Sequence, residues 1–173
     1  KRTCLSVRRG EIVGIAGLVG SGKAEFAMAL GGAIPATGRV EVDGRPVRPG
    51  DPRHCIDAGI GYVPDDRKAA ALLLVRSVQE NFSLAWFDRL CRRGILNTRR
   101  EKAEVGTAMH TYRVAASSAA VQISTLSGGN QQKVILGRTF VRKPKVLVLN
   151  EPTRGIDVGA KSEIYRMLQD AAE

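Results

Sequence analysis

Apolar residues along this chain fall into short continuous runs and into runs with helical spacing, and the order of the two predicts its elements. Ile12-Val13-Gly14-Ile15-Ala16 follows an Arg9-Gly10-Glu11 turn and predicts a short buried strand. Ala24 to Leu30 predicts a helix. Thr37 to Gly44 alternates and closes on Asp43-Gly44, as a hairpin edge does. Gly59 to Val63 predicts a strand, broken by Pro64 and followed by the charged turn Asp65-Asp66-Arg67-Lys68. Amphipathic spacing predicts helices over Ser77 to Leu90 and Arg99 to Tyr112. Gln131 to Arg142 predicts another helix stopped by Pro144, and Lys145 to Leu149 a buried aliphatic strand. A last helix is predicted over Ala160 to Ala172. With no internal repeat and no low-complexity linker, the pattern predicts a single α/β domain over residues 1–173.

Three stretches between these elements carry chemistry. Gly17-Leu18-Val19-Gly20-Ser21-Gly22-Lys23 joins a predicted strand to a predicted helix, the order a phosphate loop needs for its backbone N–H groups to converge on an anion. Taken alone it also fits a Gly-rich turn, and Ala24 stands where the usual Ser or Thr would put a hydroxyl on Mg²⁺. Leu126-Ser127-Gly128-Gly129-Asn130-Gln131-Gln132-Lys133 offers a Ser N-cap and two Gly at the mouth of a helix, a second grip for phosphate. Val146-Leu147-Val148-Leu149-Asn150-Glu151-Pro152-Thr153 delivers an amide and a carboxylate at the carboxyl end of a strand, where open α/β sheets bind ligands.

At this order and spacing the stretches resemble the Walker A loop, signature motif and Walker B strand of ATP-binding cassette proteins. Asn130-Gln131-Gln132-Lys133 and Arg154-Gly155-Ile156-Asp157-Val158-Gly159-Ala160-Lys161 narrow the resemblance to the second nucleotide-binding domain of the ribose/galactose/xylose-type sugar importer ATPases. It runs from about Arg9 to Glu173. It implies a P-loop NTPase core, a small antiparallel β subdomain over the nucleotide base, and a helical insert at 76–126 packed beside a membrane permease. ATP and Mg²⁺ are the implied cofactors. Gly17, Leu18, Val19, Gly20, Ser21, Gly22, Lys23 and Ala24 would bind ATP, and Glu151 would polarise the attacking water as general base. Leu126, Ser127, Gly128, Gly129, Asn130 and Gln131 would face the nucleotide of a second such domain, because the family dimerises head to tail. Asp65 takes the Q-loop position and Asp157 the D-loop position. Glu80, Phe82, Trp86 and Phe87 are candidates for the permease face, in competition with a core role.

Two departures fall on one ion. Mg²⁺ takes hard oxygen ligands, yet Ala24 has none to give and Asn150 keeps a carbonyl oxygen without the charge of the usual Asp. This points to a transport ATPase whose own half-site is weakened. The alternative is a non-catalytic regulatory module whose signature completes the partner's ATP site.

Composition fits a surface that is merely basic. Lys and Arg number 27 against 17 Asp and Glu, a net +10, but they come as scattered pairs and aromatics are 5%. That is poor material for nucleic-acid stacking, so a nucleic-acid or ribosome ATPase is disfavoured and no nucleic-acid partner is expected. Cys4, Cys55 and Cys91 share no disulfide or metal spacing and read as packing residues in a reducing compartment. His54 and His110 form no metal pattern. The longest apolar run, Ala69 to Val75, is far short of the ~20 residues a membrane span needs. The expected location is peripheral, on the cytoplasmic face of the inner membrane through the permease, with a periplasmic sugar-binding protein as an indirect partner. The chain starts at Lys1 and reads as a fragment of a domain extending at both ends; the family's adenine-stacking aromatic and switch His fall outside it.

Overall fold

A computed structural model describes residues 3–173. Helix α1 (Lys23–Leu30) follows the Gly-rich loop, and the hairpin β1 (Val40–Val42) and β2 (Arg45–Val47) pairs antiparallel where alternation predicts it. The short α2 (Pro52–Asp57) is started by Asp51, whose side chain accepts from His54 N, with Pro52 at the first helical position. Strand β3 (Ile60–Val63) comes next. The polypeptide then forms α3 (Val78–Ser83), a 3₁₀ turn at Leu84–Trp86, and α4 (Phe87–Leu90). After the hairpin β4 (Cys91–Arg92) and β5 (Ile95–Leu96) come α5 (Thr98–Thr111), α6 (Gly128–Phe140), β6 (Val146–Leu149) and α7 (Val158–Ala172).

The central pair is β3 and β6, parallel and in register from Ile60 opposite Val146 to Val63 opposite Leu149. Both strands therefore end at one edge, and Asn150 N donates to Val63 O at 2.9 Å to seal it. Helix α6 packs behind this pair and touches α3, α5 and α7 as well. Val134, Ile135 and Leu136 are buried there with Val63, Phe82, Trp86, Val105, Ile123 and Ile164 in one apolar core. A smaller cluster of Val42, Val47, Cys55 and Ile60 lies under the β1–β2 hairpin.

Four sequence expectations need correction. Residues 12–16 form no strand: among the described residues no strand pairs with them, and without a ladder their amides and carbonyls stay open, leaving Ile12 66% exposed. Strand β6 is half-exposed rather than buried, since only β3 adjoins it in the described sheet. Of the candidate permease-face residues, Phe82 and Trp86 are fully buried, their ring centroids 5.4 Å apart, and only Phe87 is a freely exposed aromatic. Glu80 is engaged in a capping box, accepting from Ser77 N at 2.8 Å while Ser77 Oγ accepts from Glu80 N at 3.1 Å. Cys4 is exposed and packs nothing, unlike the buried Cys55. The β4–β5 hairpin had no forecast; Arg93 and Gly94 at its turn both have positive φ, as a two-residue primed turn requires.

Candidate functional site

The Gly-rich loop is built by backbone alone. Ser21 N donates to Leu18 O at 3.1 Å, and Gly20 and Gly22 hold φ of 79° and 93°, a region open to Gly without strain. Gly22 caps α1 with no side-chain acceptor, so first-turn N–H groups of α1 are left for an anion. Val19 projects fully into solvent from the loop.

Glu151, just past β6, meets this loop: its Oε1 accepts from Lys23 Nζ at 2.8 Å. The lysine's hydrogen bond and charge hold the Glu151 carboxyl below the usual carboxylate range. Glu151 itself sits at φ 49°, a left-handed conformation uncommon for a residue with a side chain, in a turn closed by Arg154 N donating to Glu151 O at 3.0 Å. The register of β3 and β6 brings Asp65 to the same edge. Its Oδ1 accepts from the buried Asn150 Nδ2 at 3.4 Å, and its Oδ2 pairs with Arg154 Nη1 at 3.3 Å.

For Mg²⁺, the donors at this edge are of the right chemical kind, carboxylate and amide oxygens. They are sparse, however. Among the described residues no group of three or more His, Cys, Asp or Glu is placed to hold a metal ion. Ala24 contributes no side-chain oxygen, and Asn150 turns its N–H toward Asp65.

The 126–131 stretch is built on the core. Ser127 Oγ accepts from Asn130 Nδ2 at 3.0 Å and from Asn130 N at 3.4 Å, starting α6 at Gly128, three residues earlier than periodicity predicts. Asn130 Oδ1 accepts from Ala115 N at 2.8 Å, and Gln131 Nε2 donates to Ile123 O and Leu126 O at 3.2 and 3.1 Å. Asn130 and Gln131 thus fix the loop, leaving Ser127, Gly128 and Gly129 at its tip. A Cβ on Gly129 would lie 2.5 Å from Ala160 Cβ, so the glycine is what lets α6 begin against α7. Asp157 caps α7 by accepting from Ala160 N at 2.9 Å.

The structure thus brings Lys23, Asp65, Asn150 and Glu151 to one edge and places Ser127–Gly129 beside Asp157 and Ala160. Sequence reasoning singled out neither Arg154 as the partner of Asp65 nor the reach of Arg67, which donates to Arg154 O at 2.8 Å and Gly155 O at 3.3 Å. The only sequence signal for either was a charged residue in a turn beside a motif.

Comparison with known proteins gives the family and the fold. The family model described as "ABC transporter" matches residues 1–154. The chain is 44% identical over 168 residues to a ribose import ATP-binding protein of Geobacillus kaustophilus, covering 96% of this chain and 34% of that protein. It is 45% identical over 165 residues to a xylose import ATP-binding protein of Burkholderia cenocepacia, covering 94% and 32%. The chain therefore spans about a third of the length of the curated relatives it matches. Among solved structures it resembles cbiO1 of Clostridium perfringens, part of an ABC transporter complex, with a TM-score of 0.73 and 25% identity over 97% of this chain and 64% of that one. A dimeric ATP-binding cassette in a post-hydrolysis state with ADP and Pi shares the fold, at a TM-score of 0.75 and 23% identity over 98% and 72% of the two chains.

Proposed function

The chain belongs to the ABC transporter family of ATP-binding domains, and on that premise we propose that it binds and hydrolyses ATP to drive import of a monosaccharide of the ribose, galactose and xylose class. The observation that carries the ATPase reading is Lys23 meeting Glu151 at 2.8 Å beside a loop whose first-turn amides are uncapped. The names of the relatives, ribose import and xylose import, carry the sugar class.

The Lys23–Glu151 pair suggests how the site is switched on. Phosphates entering the loop compete for Lys23, and the carboxylate it releases loses the largest of the contacts that hold it low, that of Arg154 remaining. Glu151 then takes a proton from the water whose oxygen bonds to the γ-phosphorus, while the bond from that phosphorus to the bridging oxygen breaks and ADP departs. Asn150, through its carbonyl, and Asp65 are the residues that would hold Mg²⁺, which when bound neutralises phosphate charge.

Ser127 to Gly129 would complete the ATP site of a second nucleotide-binding domain, docked head to tail. Permease subunits would hold the pair at the cytoplasmic face of the membrane and receive sugar from a periplasmic binding protein. Among the described residues no helix is long and apolar enough to cross a membrane. A regulatory reading, in which this half-site binds ATP but turns it over slowly, is favoured by Ala24 and by the neutral Asn150.

Binding is tested with a fluorescent ATP analogue on the full-length protein with its other nucleotide site disabled. Lys23→Ala is expected to weaken affinity about 100-fold, as loss of a charge-assisted phosphate contact does. Unchanged affinity would remove the phosphate-loop assignment.

A further inference from the structure

Arg67 joins three segments that are far apart in sequence. It opens the turn Arg67–Ala71, which Asp66 caps by accepting from Lys68 N and Ala69 N at 3.0 and 2.9 Å. From there the guanidinium forks onto two successive carbonyls, Nη1 to Arg154 O at 2.8 Å and Nη2 to Gly155 O at 3.3 Å. The same Nη2 lies 2.8 Å from the place a Cβ on Gly128 would occupy, so the backbone at the tip of α6 rests directly on the fork. Arg67 Nε is buried with no hydrogen-bond partner. A buried donor left unpaired is costly, which indicates a side chain held in place by its two forked contacts rather than by full satisfaction of its own donors.

Asp65, two residues earlier, grips the other side of the same turn through Asn150 Nδ2 and Arg154 Nη1. The short loop 65–67 therefore touches the strand tip that carries Glu151, the turn at 154–155, and the first residue of α6. A shift at any one of these must be taken up at the others, because a planar fork with fixed donors tolerates little misalignment.

We infer that Arg67 is a positioning residue that couples this chain's own half-site to its signature turn, setting where Gly128 and residues 154–155 stand when the composite site closes. The inference rests on the reading that Ser127–Gly129 serve the nucleotide of a second domain. It gives Gly128 a reason to be glycine beyond access for phosphate: any side chain there displaces the fork.

The test is a mutant cycle in the full-length protein assembled as a transporter. Arg67→Ala is expected to lower kcat about 10-fold or more with KM for ATP and the affinity of this chain's own loop within about twofold, since the loss falls on closure and not on ground-state binding. Gly128→Ala is expected to fall to a similar degree. The double variant should be no worse than either single one, because the clash that Gly128→Ala creates disappears with the guanidinium. Arg67→Lys, which keeps the charge but not the planar fork that reaches the two carbonyls from separate nitrogens, should rescue only part of the rate.

Hydrogen exchange separates positioning from general loosening. Amides of residues 153–157 are expected to exchange faster in Arg67→Ala while those inside α6 keep their protection. Additive losses in the cycle, full rescue by lysine, or faster exchange throughout α6 would each overturn the inference. The reading it rests on is checked separately with Ser127→Arg: undiminished turnover there removes the role of the signature in trans, and local exchange at 153–157 still decides whether Arg67 holds the turn.

Discussion

Lys23 and Glu151 meet at an exposed edge, their side chains 33% and 46% accessible, and each is the other's partner. The helix that begins at Gly128 is held differently: Gly129 and every residue from Gln131 to Gly137 are buried. One region is assembled by charges that a nucleotide can redistribute, and the other by buried packing. A half-site that must open and refill is served by exposed ion pairs, which are weak and exchangeable. A loop offered to a partner is served by a rigid base, because flexibility there would have to be frozen out at each docking event.

The comparison breaks first at Trp86, if the core is not what supports α6. Its indole is fully buried, its Nε1 donates to Arg138 O at 2.9 Å, and its ring packs on Phe82. Arg138 in turn donates to Asn81 O at 3.2 Å and to Ala71 O, and burial draws its pKa down to about 10, so it remains charged at neutral pH. Trp86→Ala is expected to cost about 3–5 kcal/mol by loss of packing, and Trp86→Phe about 1–3 kcal/mol for the lost hydrogen bond and the smaller ring together. Both are measured by thermal unfolding of the full-length protein followed by circular dichroism. ATP affinity at the Lys23 loop should hardly change in Trp86→Phe, and an equal fall in stability and affinity would show that the two regions are not separately built.

A second test sharpens the contrast at the strand tips. Restoring the usual metal donors with Ala24→Ser and Asn150→Asp is expected to raise single-site turnover about 10-fold and tighten apparent Mg²⁺ affinity. Fast Mg²⁺-dependent turnover already present in the unaltered chain would remove the regulatory reading. The structure adds a readout independent of turnover. Asn150 Nδ2 stands 3.4 Å from Asp65 Oδ1, so an aspartate there sets two carboxylates against each other unless a cation lies between them. Thermal stability of the variant should therefore fall without Mg²⁺ and recover with it, before any nucleotide is added.

Much of this architecture was legible in the sequence because the signals were local. The alternation from Thr37 to Gly44, the amphipathic run that opens at Ser77, and the aliphatic run before Asn150 each specify an element within a few residues. What escaped is non-local. Residues 12–16 have a strand's composition, but a strand needs a partner, and among the described residues none pairs with them. Phe82 and Phe87 look alike in a helical run, yet one is fully buried and the other 53% exposed, because which face meets α6 depends on how the chain returns about 50 residues later. Arg67 reads as a charge in a turn until its fork is found on carbonyls 87 and 88 residues away. The Lys23–Glu151 pair was legible as chemistry, since both types stood in recognisable motifs, but not as a direct contact between the two side chains.

The smallest expected effect concerns Glu80, and it asks whether an exposed charge on the packed side of the molecule behaves like those at the strand tips. Hydrogen bonds from Ser77 N and Ser77 Oγ, with Arg76 nearby, hold the Glu80 carboxyl below its ordinary value. Folding thus favours the ionised form, so its contribution is present in full above the unfolded carboxylate value and is lost as pH falls through the lower folded one. Ser77→Ala is expected to lower stability by about 1 kcal/mol at neutral pH, the usual worth of a helix N-cap. Glu80→Gln keeps a neutral acceptor for Ser77 N but cannot titrate, so its stability should fall less steeply than that of the unaltered protein as pH drops below the ordinary carboxylate range. Thermal unfolding of the three proteins between neutral and acid pH distinguishes the outcomes. Parallel curves for the unaltered chain and Glu80→Gln would mean that the capping box acts through geometry alone. A flatter curve for Glu80→Gln would place a titrating, exchangeable charge on the packed side too, and confine the division between packing and electrostatics to the neighbourhood of α6 and the Lys23–Glu151 pair.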